Sequence, residues 1–175
     1  MTGILEFDSQ LASFLPVTHI LLKSSNLVLH PAVSRVVLHG SRGLAGGYRS
    51  DSDIDLSLIV EIHQSEPTSQ LQSLLRDVAE TTLENWQGAV EADLAVVFDV
   101  RNCGLKCFEQ TAWDDRLCNL GGTDCFGLFK IQKGYDGFVT NAGAQVKRMY
   151  PCLKIWERPE TSVIFKIPNA SPASP

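Results

Sequence analysis

The stretch His39-Gly40-Ser41-Arg42-Gly43-Leu44-Ala45-Gly46-Gly47-Tyr48-Arg49-Ser50-Asp51-Ser52-Asp53-Ile54-Asp55-Leu56 decides how the rest of the chain is read. It is entered from residues 34–39, Ser-Arg-Val-Val-Leu-His, a β-branched run that predicts a buried strand. The run stops at Gly40-Ser41, and Gly43, Gly46 and Gly47 make a sharply turned loop. Residues 53–62 then alternate into a second strand. Asp53 and Asp55 are two residues apart, so they share a face, with Cα atoms about 7 Å apart. Two like charges that close repel, and one of them tends to take up a proton. A divalent cation removes the conflict, because Mg²⁺ is commonly held by one or two carboxylates together with substrate phosphates. Taken alone, the pair is as well explained by two solvated aspartates. The apolar continuation Leu-Ser-Leu-Ile-Val, residues 56–60, buries the strand beyond them and puts them at a sheet rim, where ligands bind.

Downstream, residues 69–86 give the clearest helix, with Leu71, Leu74, Leu75, Val78, Thr82 and Trp86 on one face and a capping box at Ser69 and Gln72. Residues 90–99 predict a third strand, Val-Glu-Ala-Asp-Leu-Ala-Val-Val-Phe-Asp. Its Glu91, Asp93 and Asp99 share a face by parity. Asp99 lies about 20 Å beyond Asp93 along an extended strand, which assigns it to the other end. Asp93 is favoured over Glu91 as a third carboxylate beside the pair. Upstream, residues 9–29 read as helical, with Val17, Ile20, Leu21, Ser24 and Val28 on one face, a break or restart at Pro16 and an end at Pro31.

Gly40-Ser41 is the second chemical element. Glycine lets a phosphate approach the backbone, Ser41 adds a hydroxyl donor, and free N–H groups can form an anion nest. Arg42 and Arg49 are candidates to meet a triphosphate. A glycine-serine turn after a strand is common, so the weight lies in its combination with the three aspartates.

That combination resembles the signature of the DNA polymerase β-like nucleotidyltransferase superfamily: Gly-Ser, a spacer, then Asp-x-Asp with an apolar residue after each Asp. It is most similar to the minimal nucleotidyltransferases, which often pair with a HEPN-domain protein. Eleven residues separate Ser41 from Asp53, one more than in the commonest minimal form, and the additional residue falls in the glycine turn. The resemblance covers residues 30–100. It implies a nucleotidyltransferase-like α/β (α+β) fold, a mixed sheet flanked by helices. It implies that Gly40 and Ser41 hold the outer phosphates of a nucleoside triphosphate, ATP by analogy. Asp53 and Asp55 would bind two Mg²⁺ ions, or Mn²⁺ in their place. Asp93 would complete the second metal site and help an acceptor hydroxyl lose its proton. The implied reaction transfers a nucleoside monophosphate to an acceptor, protein or RNA, and releases pyrophosphate. The alternative is an antitoxin-like or regulatory subunit that neutralises a partner protein by contact.

Residues 101–175 are harder to read. Residues 105–110, 126–132 and 152–156 predict short strands, Gly121-Gly122, Gly134 and Gly137 turns, and 168–175 a disordered tail. The organisation expected is a core over 1–100 and a strand-rich C-terminal extension of the same domain over 101–167. Charge is uneven: five Lys/Arg against thirteen Asp/Glu up to residue 100, then ten against seven. Lys130, Lys133, Lys147, Arg148, Lys154 and Arg158 are candidates to face an acceptor, although a solvated surface explains them equally. Phe126, Phe129, Tyr135, Phe138, Tyr150 and Trp156 fit a core better than a base-stacking platform. The overall acidity, −5, argues against non-catalytic nucleic-acid binding. Cys103, Cys107, Cys118, Cys125 and Cys152 lack the tight spacing of structural zinc sites, so free thiols are expected. No apolar run approaches the ~20 residues that span a bilayer, and no signal-peptide pattern opens the chain, which makes the cytoplasm the expected compartment.

Overall fold

The structure, a computed structural model, describes residues 5–63, 68–118, 125–139 and 146–159. The turn at Gly121-Gly122 and the tail over 168–175 lie outside the described residues. Two short helices, α1 (Ser9–Phe14) and α2 (Pro16–Lys23), lead into β1 (Val33–His39). The glycine loop joins β1 to β2 (Ile54–His63), followed by α3 (Ser69–Asn85) and β3 (Ala92–Asp99). The later residues add β4 (Phe126–Lys130), β5 (Gly137–Phe138) and β6 (Leu153–Glu157). One six-stranded sheet results, in the order β5-β4-β3-β2-β1-β6. β2 and β3 are parallel and every other neighbouring pair is antiparallel. The described residues thus form a mixed α/β structure with three α-helices on a mixed sheet.

Period-2 alternation sorts the strand residues between the two faces. Val36, Leu38, Leu56, Leu58, Val60, Leu94, Val96 and Phe129 face the helices, where Leu11, Leu22, Leu71, Leu75 and Val78 complete the larger core. On the opposite face Val37, Ile59 and Val97 pack under Leu105, Phe108, Phe126, Val146 and Cys152. This second cover occupies part of its face, and the remainder carries Asp55 and Asp93.

Pro16 restarts the helix as expected: it sits at the first position of α2, where its missing N–H costs nothing. Several other local expectations are corrected. α2 buries Thr18 and Leu22, while Val17 and Ile20, expected on the inner face, are exposed. The helix ends at Lys23, and a stripe set over 9–29 cannot fit two short segments. α3 is capped by Thr68, whose hydroxyl accepts from the Leu71 amide at 3.1 Å, instead of by Ser69. Residues 105–110 hold a 3₁₀ turn, Lys106–Glu109, not a strand; Leu105 enters it with a left-handed φ of 48°. The five cysteines are free, with Cys107, Cys125 and Cys152 buried.

Candidate functional site

Strand register brings the carboxylates together. Asp55 on β2 stands opposite Asp93 on β3, and residues opposed across a pair point to one face. Asp53 lies one residue before β2, on the same side as Asp55. Each of the three offers an oxygen, all within 4.8 Å of one another. Among the described residues this is the one group of three or more His, Cys, Asp or Glu side chains placed to share a metal ion. Glu91 is exposed and outside the cluster. Asp99 is buried at the far end of β3, where its carboxylate accepts from the Cys103 and Gly104 amides at 3.2 and 2.7 Å. The cluster sits at the amino ends of the parallel strands, whereas doubly wound sheets bind at the carboxyl ends. Here the rim is made by antiparallel β1, whose last residue, His39, pairs with Asp55.

Gly40 follows at once. Its φ is +71°, and a Cβ there would collide with the Asp55 carboxylate. Glycine is thus required twice, for the left-handed turn and for the close approach. The Gly43 amide donates to the Gly40 carbonyl at 3.0 Å, closing the turn, with Ser41 half-buried inside it. The turn is pinned from α2, because the buried Thr18 hydroxyl donates to the Arg42 carbonyl at 2.7 Å.

The two arginines separate. Arg42 is buried and points into its own loop: Nε donates to the Ser52 carbonyl at 2.7 Å, and Nη2 donates to the Arg49 and Ser50 carbonyls at 3.1 and 3.2 Å. Its guanidinium also lies 4.6 Å from the Tyr48 ring centroid. It is therefore placed as the clamp of the 48–52 segment, with these donors spent on backbone. Arg49 is exposed, with Asp51 at 3.4 Å.

Two lysines from the later part of the chain enter the cluster. Lys130, the last residue of β4, donates to Asp93 Oδ1 at 2.8 Å. Lys133 donates to Asp53 Oδ2 and lies 3.3 Å from Asp93 Oδ2. The sequence marks both only as candidates to face an acceptor. What it withholds is strand order: with Phe129 opposite Val96, the antiparallel register carries Lys130 to the side of Asp93. Lys154 instead pairs with Glu109 and Glu157, and Arg158 donates to the His30 and Val33 carbonyls. Lys147 and Arg148 lie in a 3₁₀ turn, Val146–Met149, and make no described ion pair with the cluster. Of the aromatic set, Phe126 and Phe129 are core, while Tyr135 is 46 % exposed.

The charges are unequally compensated. Burial, with Asp53 and Asp93 nearby, pushes the Asp55 carboxyl up to about 6. Burial also acts upward on Asp93, but the hydrogen bonds and charges of Lys130 and Lys133 outweigh it and hold that carboxyl below its ordinary value. The hydrogen bond to Asp53 holds the Lys133 ammonium above its usual range. Beside Asp55, His39 Nδ1 is 2.8 Å from the Met149 carbonyl, so it must donate; Nε2, 2.8 Å from Ser57 Oγ, then accepts. Burial lowers the pKa of this ring.

Three carboxylate oxygens at this spacing suit a hard divalent cation, whose ligands stand about 2.0–2.1 Å from the metal and hence about 4 Å apart across it. Asp53, Asp55 and Asp93 are the residues that could hold one. No described helix is long and apolar enough to cross a membrane. Comparison with protein-family models, with curated proteins and with solved structures found no match.

Proposed function

We propose that the chain is a metal-dependent nucleotidyltransferase with a nucleotidyltransferase-like sheet, transferring a nucleoside monophosphate, AMP by analogy, to an acceptor hydroxyl of a protein or RNA. The observation that carries the reading is the meeting of Asp53, Asp55 and Asp93 with Gly40 packed on the Asp55 carboxylate. Asp53, Asp55 and Asp93 would hold two Mg²⁺ ions, whose chemistry is to stabilise charge on the entering and leaving oxygens of an in-line displacement. The Gly40-Ser41 turn would receive the outer phosphates. In the transfer, the acceptor oxygen forms a bond to the α-phosphorus, the bond to pyrophosphate breaks, and the hydroxyl proton passes by way of the Asp93 carboxylate to solvent. Asp93, held ionised by Lys130, would orient that hydroxyl. Such catalysis is mostly positioning and electrostatics.

The test is incubation with labelled nucleoside triphosphates, Mg²⁺ and candidate proteins or RNA. Label transfer that disappears in Asp53→Asn/Asp55→Asn supports the reading; absence of both transfer and metal-dependent nucleotide binding defeats it. A second reading, a subunit that acts by contacting a partner such as a HEPN-type protein, is favoured by Phe14, Val17 and Ile20, which are 57, 49 and 66 % exposed on α1 and α2. A biological effect lost in the double variant while a complex from the native host stays intact would reject pure binding.

A further inference from the structure

We propose that Lys133 is the triphosphate-contacting cation of this site, bound to Asp53 before metal arrives and handed to the phosphates when divalent ions enter. The inference rests on the nucleotidyltransferase reading above and assigns a substrate contact within it. Lys133 Nζ touches Asp53 and Asp93, two of the three carboxylates that could hold metal. An ammonium and divalent ions drawn to the same oxygens repel each other. Metal entry therefore weakens the hold on the lysine just where a nucleotide brings new negative charge. A four-carbon stem with a compact charge suits such a transfer.

The two lysines are not equivalent. The Lys130 side chain is 18 % exposed and its ammonium lies 5.8 Å from the Tyr135 ring centroid, so it is held beside Asp93. The Lys133 side chain is 51 % exposed and has room to move. The turn beneath it is fastened to the site. Past Phe129, where the described β3–β4 register ends, the Gln132 side chain takes over: Oε1 accepts from the Leu94 amide and Nε2 donates to the Ala92 carbonyl, each at 2.9 Å. The Tyr135 amide closes the turn on the Gln132 carbonyl at 3.0 Å. Lys133 itself adopts φ +54°, a left-handed conformation that residues with a Cβ rarely take. Gln132 is thus a positioning residue: it flanks Asp93 on both sides along β3 and presents the next side chain to the carboxylates.

The experiment compares wild type, Lys133→Gln, Lys133→Arg and Asp55→Asn. Mn²⁺ binding without nucleotide is read by electron paramagnetic resonance. Binding of a non-hydrolysable ATP analogue with Mg²⁺ is read by calorimetry. Lys133→Gln should bind Mn²⁺ about fivefold more tightly, since a competing cation is gone, and the analogue about tenfold more weakly. Lys133→Arg should restore analogue affinity. Unchanged analogue affinity in Lys133→Gln, or a parallel loss of Mn²⁺ and analogue, overturns the inference while leaving the transferase reading in place. A wild type that binds neither Mn²⁺ nor the analogue, or an Asp55→Asn variant that binds both undiminished, overturns the site reading and this inference with it.

Discussion

Replacing Asp55 by Asn should stabilise the metal-free protein at neutral pH, by a margin that shrinks in acid. The folded-state carboxyl is pushed from 3.8 up to about 6, so between those values the folded protein binds more protons than the unfolded chain. Stability of the wild type must then fall as pH rises through that window. At about 1.36 kcal/mol per pKa unit, the unscreened loss would be roughly 3 kcal/mol. Asp55 is only half-buried, so solvent screening reduces this to about 1 kcal/mol. Urea denaturation in EDTA, run at half-unit steps from about pH 4 to 7.5, spans the window. Lysine-held Asp93 contributes with the opposite sign, so the quantity to follow is the difference between variant and wild type. That difference should grow by about 1 kcal/mol in favour of the Asn variant between about pH 4 and 7, and saturating Mg²⁺ should reverse it by stabilising only the wild type. A pH-independent difference, or an Asn variant less stable at neutral pH in EDTA, would refute the reasoning.

Gly40→Ala should lose about 1–2 kcal/mol from the left-handed backbone alone and should also displace the Asp55 carboxylate, so that Mn²⁺ affinity falls together with the urea midpoint. Arg42→Ala should destabilise by roughly 2–3 kcal/mol, since the carbonyls of Arg49, Ser50 and Ser52 lose a buried charged donor, whereas Arg49→Ala should stay within about 0.5 kcal/mol of wild type; equal effects on thermal unfolding would show that Arg42 is no clamp. Gln132→Leu removes the partners of two β3 backbone groups at a cost of about 1–3 kcal/mol, and hydrogen exchange at the Leu94 amide should accelerate, with no change at that amide counting against its role.

The part of the fold legible in the sequence is the part written in local periodicity. β1, β2, α3 and β3 fall close to their expected places because each carries an uninterrupted apolar pattern of strand or helix period. The carboxylate cluster is legible for the same reason: parity puts Asp53 and Asp55 on one face, and an adjacent strand suffices to bring Asp93. What local pattern cannot encode is which strands become neighbours. Lys130 and Lys133 are two basic residues among many until β4 is seen to lie against β3. Arg42 invites a triphosphate reading because composition advertises its charge but not the ring of carbonyls at Arg49, Ser50 and Ser52 around it. Residues 105–110 mislead because so short a segment, Leu-Lys-Cys-Phe-Glu-Gln, fits a 3₁₀ turn as well as a strand, and the deciding left-handed residue is a leucine.

The strand order also bears on synthesis. β6 flanks β1 and β4 flanks β3, so both borders of the β1-β2-β3 unit are supplied by residues beyond 100. A nascent chain that has released only its first hundred or so residues exposes two raw, hydrogen-bond-hungry edges, a template for aggregation. Leu38 cannot find Leu153, nor Val96 find Phe129, until those later residues have emerged. Maturation of the glycine turn at the end of β1 is therefore tied to a strand that leaves the ribosome long after it.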